Sequence, residues 1–188
     1  MATTRLLLAR HGETDWNRVG RWQGHADEPL NDEGRRQAAE LAEQLVVDGI
    51  SAIYSSDLRR ASETAKVVGE RLGLRVVEDT GLREIDVGSW SGLTRDQVRE
   101  RFPEGFERWL GGEIGHDGET REQLTERVVA AVERIAARHE GETVLLVMHG
   151  GAIRALRRQA AGDPGDPIAN CTTIGLELVD GVLAVRSD

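Results

Sequence analysis

The feature that most constrains this chain is a pattern written twice, an uninterrupted apolar run that ends in histidine and then glycine. It occurs at Leu6–Ala9 before Arg10-His11-Gly12, and again at Val144–Met148 before His149-Gly150. Short apolar runs without polar alternation suit strands covered on both faces, which belong to parallel sheets flanked by helices. In an open sheet of that kind the ligand crevice lies beyond the carboxyl ends of the strands, where this order places Arg10, His11 and His149. Glycine after each histidine lets a ligand approach the backbone, so Gly150 is a candidate binding position at the start of a helix whose N-terminus favours an anion. A guanidinium beside an imidazole opposes a metal cation but suits a phosphate. Arginine offers a fork of donors, and neutral histidine offers a nucleophilic nitrogen.

The segments between these runs alternate between strand and helix patterns. Asn31 is placed to cap a helix carrying Ala38, Leu41, Ala42, Leu45 and Val46 at helical spacing, down to Gly49. Ile50–Tyr54 reads as a second strand. Ser56 or Asp57 then caps a helix through Leu58, Ala61, Ala65, Val68 and Leu72, closed by Gly73, and Leu74–Val77 makes a third strand. Such alternation predicts parallel pairing with right-handed crossovers. Thr120 is placed to cap a long helix, Ala152 to about Ala161 forms another, and Thr173–Val179 with Val182–Val185 closes the chain as a hairpin around Asp180-Gly181. The expected fold is therefore α/β, a mostly parallel open sheet with helices on both faces and a C-terminal antiparallel hairpin.

Two stretches are less regular. Arg18–Pro29 reads as a loop over the first strand end, with Gln23, Gly24 and His25 on the rim of a pocket. Residues 79–118 are rich in glycine, with short helices expected at Arg95–Phe102 and Gly105–Leu110. Trp16, Trp22 and Trp90 fall near these loops and read as padding at the core edge rather than as stacking platforms.

Composition narrows the function. The length of 188 residues, with 39% apolar and 30% charged, fits one domain over residues 1–188. A formal charge of −9, from 33 acids against 24 bases, argues against nucleic-acid and anionic-membrane partners. A phosphate site must then be a local cationic pocket, and because Lys66 is the only lysine an arginine is weak evidence by itself, so position must carry the argument. Cys171 stands alone, which fits a reducing compartment and an inert thiol. No long apolar segment is present at the N-terminus, so a cytoplasmic location is expected.

Arg59 and Arg60 open a helix at the end of the second strand, where the helix dipole disfavours cations unless an anion sits nearby. Other chemistries fit less well. HGGA at 149–152 matches an esterase oxyanion segment, but GSWSG at 88–92 has Trp90 where the nucleophilic serine would stand. No Walker lysine, dinucleotide-binding glycine motif or HExxH spacing occurs.

RHGET followed by Asn17, SDLRRASETA, LREIDVGSWSG and VMHGG together resemble the signature segments of the histidine phosphatase superfamily, in its phosphoglycerate mutase-like branch. The resemblance covers nearly the whole chain in the right order. It implies that His11 carries the phosphoryl group as phosphohistidine, that Arg10, Arg60 and His149 hold its oxygens with a further hydrogen bond from Asn17, and that Glu84 is the general acid. It selects Arg60 over Arg59, and it implies no cofactor or metal. Hydrolysis of a small phosphorylated metabolite is the expected activity, because mutases of this branch usually carry longer insertions over the site. Mutase-type transfer between hydroxyls and a non-catalytic phosphate-binding protein are the alternatives, and a homodimer is compatible with the sequence. Without the resemblance, Glu84 reads as a surface carboxylate paired with Arg83.

Overall fold

The apolar run at Leu6–Ala9 forms the middle of β1 (Thr4–Arg10), and the run at Val144–Met148 forms β4 (Thr143–Met148), its direct parallel neighbour. These relations come from a computed structural model that describes residues 3–185. β2 (Ile50–Ser55) lies on the other side of β4, and β3 (Val76–Glu78) forms the parallel edge. The hairpin strands β5 (Thr173–Val179) and β6 (Val182–Val185) extend the opposite side antiparallel to β1, giving the order β3-β2-β4-β1-β5-β6. Asp180 and Gly181 both take positive φ, 51° and 78°, as a two-residue hairpin turn that matches strand twist requires.

Alternate residues of β4 serve two cores. Val144, Leu146 and Met148 pack with Leu6 and Leu8 under α6 (Arg121–Ala136) and α7 (Gly150–Ala161), through Val128, Val132, Ile135, Ile153 and Leu156. Leu145 and Val147 face the other way, with Ala9 and Ile53, against α2 (Asp32–Gln44) and α3 (Arg59–Leu72) through Leu41, Ala61, Ala65 and Val68. Burial of β4 on both faces explains why its sequence lacks alternation.

Caps follow the sequence at Asn31 and Thr120, whose side chains accept from the Gly34 and Gln123 amides. Several boundaries differ from expectation, among them β3, which begins at Val76 and not at Leu74. α2 ends at Gln44, and Leu45–Val47 continue as a 3-10 turn before Gly49. The N-cap of α3 is Leu58, which has no capping oxygen; Ser56 instead accepts from the Leu58 amide, and the Asp27 carboxylate, from the distant loop, accepts from the Arg59 amide. α7 starts at Gly150, two residues early, so both glycines lie in its first turn. A single helical turn, α1 (Asp15–Arg18), held by the Thr14–Asn17 capping box, follows β1, and the stretch after it runs as a loop to residue 30, as expected. α4 (Arg95–Arg101) and α5 (Pro103–Leu110) enclose a third apolar cluster around Val87, Trp90, Val98 and Phe106. Among the described residues no helix is long and apolar enough to cross a membrane.

Candidate active site

Register between β1 and β4 pairs Arg10 with Met148, so the residues that follow, His11 and His149, leave the sheet side by side. Their ring centroids are 5.1 Å apart. Nδ1–H of His11 donates to the Gly12 carbonyl at 2.7 Å, which fixes the tautomer and leaves the lone pair on Nε2. Burial holds both imidazoles well below their ordinary pKa, with the charges of Arg60 and Arg10 acting in the same direction. Both rings are therefore neutral at pH 7. His149 is fully buried, and neither of its ring nitrogens has a partner among the described residues.

Two guanidinium groups converge on the rings. Arg10, from the end of β1, donates Nη1–H to the Ile168 carbonyl at 2.5 Å. Arg60, in the first turn of α3, is 1% exposed and donates to the Ala26 and Gly24 carbonyls at 2.7 and 2.8 Å. The carbonyls of the 20–29 loop thus orient Arg60 without neutralising it. Burial pulls its pKa down to about 10, which still leaves it charged at neutral pH. The Nε atoms of Arg10 and Arg60 are buried and unpartnered among the described residues. Buried donors of this kind ordinarily have an acceptor, and two cations fixed side by side favour an anionic one.

Glu84 faces these groups from the segment after β3. Its Oε1 accepts from the Ile85 amide and its Oε2 from the Gly151 amide, both at 2.9 Å. Its main-chain carbonyl accepts from His25 Nε2 at 2.9 Å and from Arg127 Nη2 at 3.2 Å. The pairing of Glu84 with Arg83 that local sequence suggests does not form. Arg83 turns away and binds the Asp57 carboxylate through two parallel hydrogen bonds of 2.7 and 2.5 Å.

Arg10, His11, Arg60 and Glu84 open into one cavity of about 570 Å³. Asn17, Gln23, Gly24 and Gly150 line it as well, whereas His149 stands behind the wall against His11. The side-chain oxygen of Asn17 accepts from the Thr14 amide at 3.1 Å, which leaves its amide nitrogen as the free donor among the described residues. Trp22 lines the cavity together with Trp109, while Trp90 is fully buried between them and Phe106. Burial pushes the Cys171 thiol up to about 12, in keeping with an inert residue.

Sequence reasoning passed over several participants. Asn170 donates to the His11 carbonyl at 2.8 Å and braces the end of β1 from a distant part of the chain. Arg127 on α6 spans Glu119 and the carbonyls of Gly81, Arg83 and Glu84. Arg154 and Arg158 carry the cavity wall outward along α7. For the last two a signal existed, since they follow Gly150 at steps of four in a helix that starts at the site. Among the described residues no group of three or more His, Cys, Asp or Glu side chains is placed to hold a metal ion.

Comparisons with known proteins agree with this arrangement. Residues 6–182 match the family described as histidine phosphatase superfamily (branch 1). The chain is 38% identical over 184 residues to phosphoglycerate mutase-like protein 4 of Arabidopsis thaliana, covering 94% of this chain and 80% of that one. It is 38% identical over 157 residues to phosphoserine phosphatase 1 of Hydrogenobacter thermophilus, covering 81% and 74%. The structure of a mycobacterial glucosyl-3-phosphoglycerate phosphatase superimposes with a TM-score of 0.87 at 35% identity, covering 98% of this chain and 96% of the other. A match of this extent, over a site of this geometry, establishes that the chain belongs to the histidine phosphatase superfamily.

Proposed function

We propose that residues 1–188 form one histidine phosphatase domain, which hydrolyses a small phosphorylated metabolite in the cytoplasm through a phosphohistidine on His11. The observation that carries this reading is the fixed tautomer of His11. Its Nδ1 is committed to the Gly12 carbonyl, so the free lone pair on Nε2 belongs to a ring in the cavity wall, beside Arg10 and Arg60.

In the first step His11 Nε2 attacks phosphorus, the P–N bond forms, and the P–O bond to the leaving group breaks. Arg10, Arg60 and Asn17 hold the phosphoryl oxygens from the cavity wall, and His149 reaches them from its buried place beside the His11 ring, so that fixed donors stabilise the charge in place of a metal. Glu84 gives its proton to the leaving oxygen. In the second step Glu84 takes a proton from water, the resulting hydroxide oxygen bonds phosphorus, and the P–N bond breaks to release phosphate and neutral His11. Gln23, Gly24 and Gly150 shape the rim around the ester. Relatives named for phosphoserine and glucosyl-3-phosphoglycerate hydrolysis support water as the acceptor.

The test is turnover of p-nitrophenyl phosphate, with phosphohistidine trapped at alkaline pH from the wild type and both signals lost in His11→Ala. Absence of turnover across acidic and neutral pH would favour a phosphate-binding protein. Conversion of 3-phosphoglycerate to 2-phosphoglycerate in the presence of 2,3-bisphosphoglycerate, without release of phosphate, would identify a mutase.

A further inference from the structure

Seven arginines line the cavity against three glutamates, in a chain whose net charge is −9. Glu119 is already held by Arg127, and Glu84 is turned onto the Gly151 amide. Arg10 and Arg60 suffice for one phosphoryl group, so the remaining cations call for a separate explanation. Some are occupied by the protein. Arg21 donates to the Gly92 carbonyl and to Gln97, and Arg95 stacks over Phe106 and Trp109.

Arg154 and Arg158 are different. Like Arg121, neither makes a side-chain hydrogen bond or ion pair among the described residues, and of the three only Arg154 has its Nε buried without a partner. Together with Gly150 they line the cavity at intervals of four residues along α7. That spacing puts them in one row on the helix, each step rising about 6 Å from the phosphate floor. A cation one turn and then two turns beyond the floor measures distance along a bound substrate. A neutral leaving group would leave the buried Arg154 donor without an acceptor, whereas an anion would form a charge-assisted, forked contact with it.

We propose that this protein acts on phosphomonoesters that carry a second anionic group, held by Arg154 and, further out, by Arg158. The proposal rests on the phosphomonoesterase reading above. The second group is a carboxylate or another phosphate, and two matched pairs of esters separate these sources. 3-Phosphoglycerate differs from glycerol 3-phosphate by a carboxylate in place of a hydroxymethyl group. 1,3-Propanediol bisphosphate differs from the monophosphate by a second phosphate.

The wild type is expected to favour the member with the second anionic group in at least one pair by about 10-fold or more in kcat/KM, the discrimination that one charge-assisted contact supplies. Arg154→Gln is expected to bring that ratio to within about 3-fold of unity, and Arg158→Gln to reduce it most for the bisphosphate. Preference in the first pair identifies a carboxylate subsite, and preference in the second alone identifies a phosphate subsite. Ratios near one in both pairs for the wild type, or a ratio unchanged in the Arg154→Gln/Arg158→Gln double variant, would overturn the proposal. The same ratios measured as dissociation constants on His11→Ala do not depend on turnover. Failure to hydrolyse any of the four esters would therefore overturn the phosphatase reading while these binding ratios still decide the subsite.

Discussion

Glycine at position 151 sets how closely Glu84 can approach α7. A Cβ there would stand 2.3 Å from Glu84 Oε1 and 3.0 Å from the carboxyl carbon, so any side chain must push the carboxylate aside. Gly151→Ala should therefore lower kcat by about 10–100-fold, the scale on which an ångström of misplacement matters, with a smaller effect on KM. The loss should depend on the leaving group. Both Gly151→Ala and Glu84→Gln should impair hydrolysis of alkyl phosphates far more than p-nitrophenyl phosphate, whose leaving oxygen hardly needs a proton. Equal losses on the two classes would remove Glu84 from the acid role. Arg60→Ala should act on both classes alike, cutting turnover by roughly 10²–10³, as loss of one transition-state donor does elsewhere. At this scale the sequence was informative where position along one strand decides, as for His11 and His149 at the ends of their apolar runs. It was silent where the partner comes from a distant segment: neighbouring residues suggest that Glu84 meets Arg83, yet in the fold each finds its partner more than twenty positions away, at Gly151 and Asp57.

Elements carry the next level of control, and α6, which lends Arg121, Leu124 and Thr125 to the cavity wall, also acts on the site from outside it. Arg127 reaches from α6 to bind Glu119 and three carbonyls of the 81–84 segment, and Glu119 in turn accepts from the Asp86 amide. That clamp fixes the stretch of backbone that presents Glu84. Replacing Arg127 by methionine keeps the apolar stem but leaves several half-buried acceptors unpaired, at roughly 1–3 kcal/mol of stability. The informative readout is kinetic. Arg127→Met should reproduce the leaving-group dependence of Glu84→Gln in weaker form, and Arg127→Lys should recover little, since one ammonium cannot span four acceptors. A uniform loss on all esters would make the clamp merely structural. The strands that bear the two histidines, and the caps at Asn31 and Thr120, were legible because apolar runs and capping oxygens are local signals. The cap of α3 was not, because Asp27 supplies its acceptor from thirty-two positions away, and Arg127 was not, because its partners become neighbours only once the sheet forms.

For the molecule as a whole, the site makes stability depend on pH. His11 and His149 are held neutral in the folded chain by burial and by the adjacent arginines, with pKa values well below 6.5. His116, half-buried, shifts the same way for the same first cause. In the unfolded chain each imidazole takes up a proton near its ordinary pKa of about 6.5. Below that pH the unfolded state therefore binds more protons than the native state, and stability must fall as pH falls. The contribution is complete above about pH 6.5 and is lost downward toward the depressed native values. Each fully buried ring should remove about 1.4 kcal/mol between pH 7.5 and 5.5, so His11 and His149 together should remove roughly 2–3 kcal/mol. Carboxylates held low by ion pairs, such as Asp57 with Arg83, add losses of the same sign only near pH 4 and below, outside this window. Urea midpoints measured across the interval should show the slope in the wild type and a slope shallower by one ring's share in His149→Asn, whatever the variant's absolute stability. Equal slopes in the two proteins would mean that position 149 is not the proton-excluding site its burial indicates. Inorganic phosphate supplies a second check, because an anion bound only to the folded chain raises stability by mass action. An anion between the rings and the two guanidinium groups would also favour ring protonation, so its stabilising effect should grow as pH falls from 7.5 to 5.5, flattening the slope that the empty charge arrangement imposes.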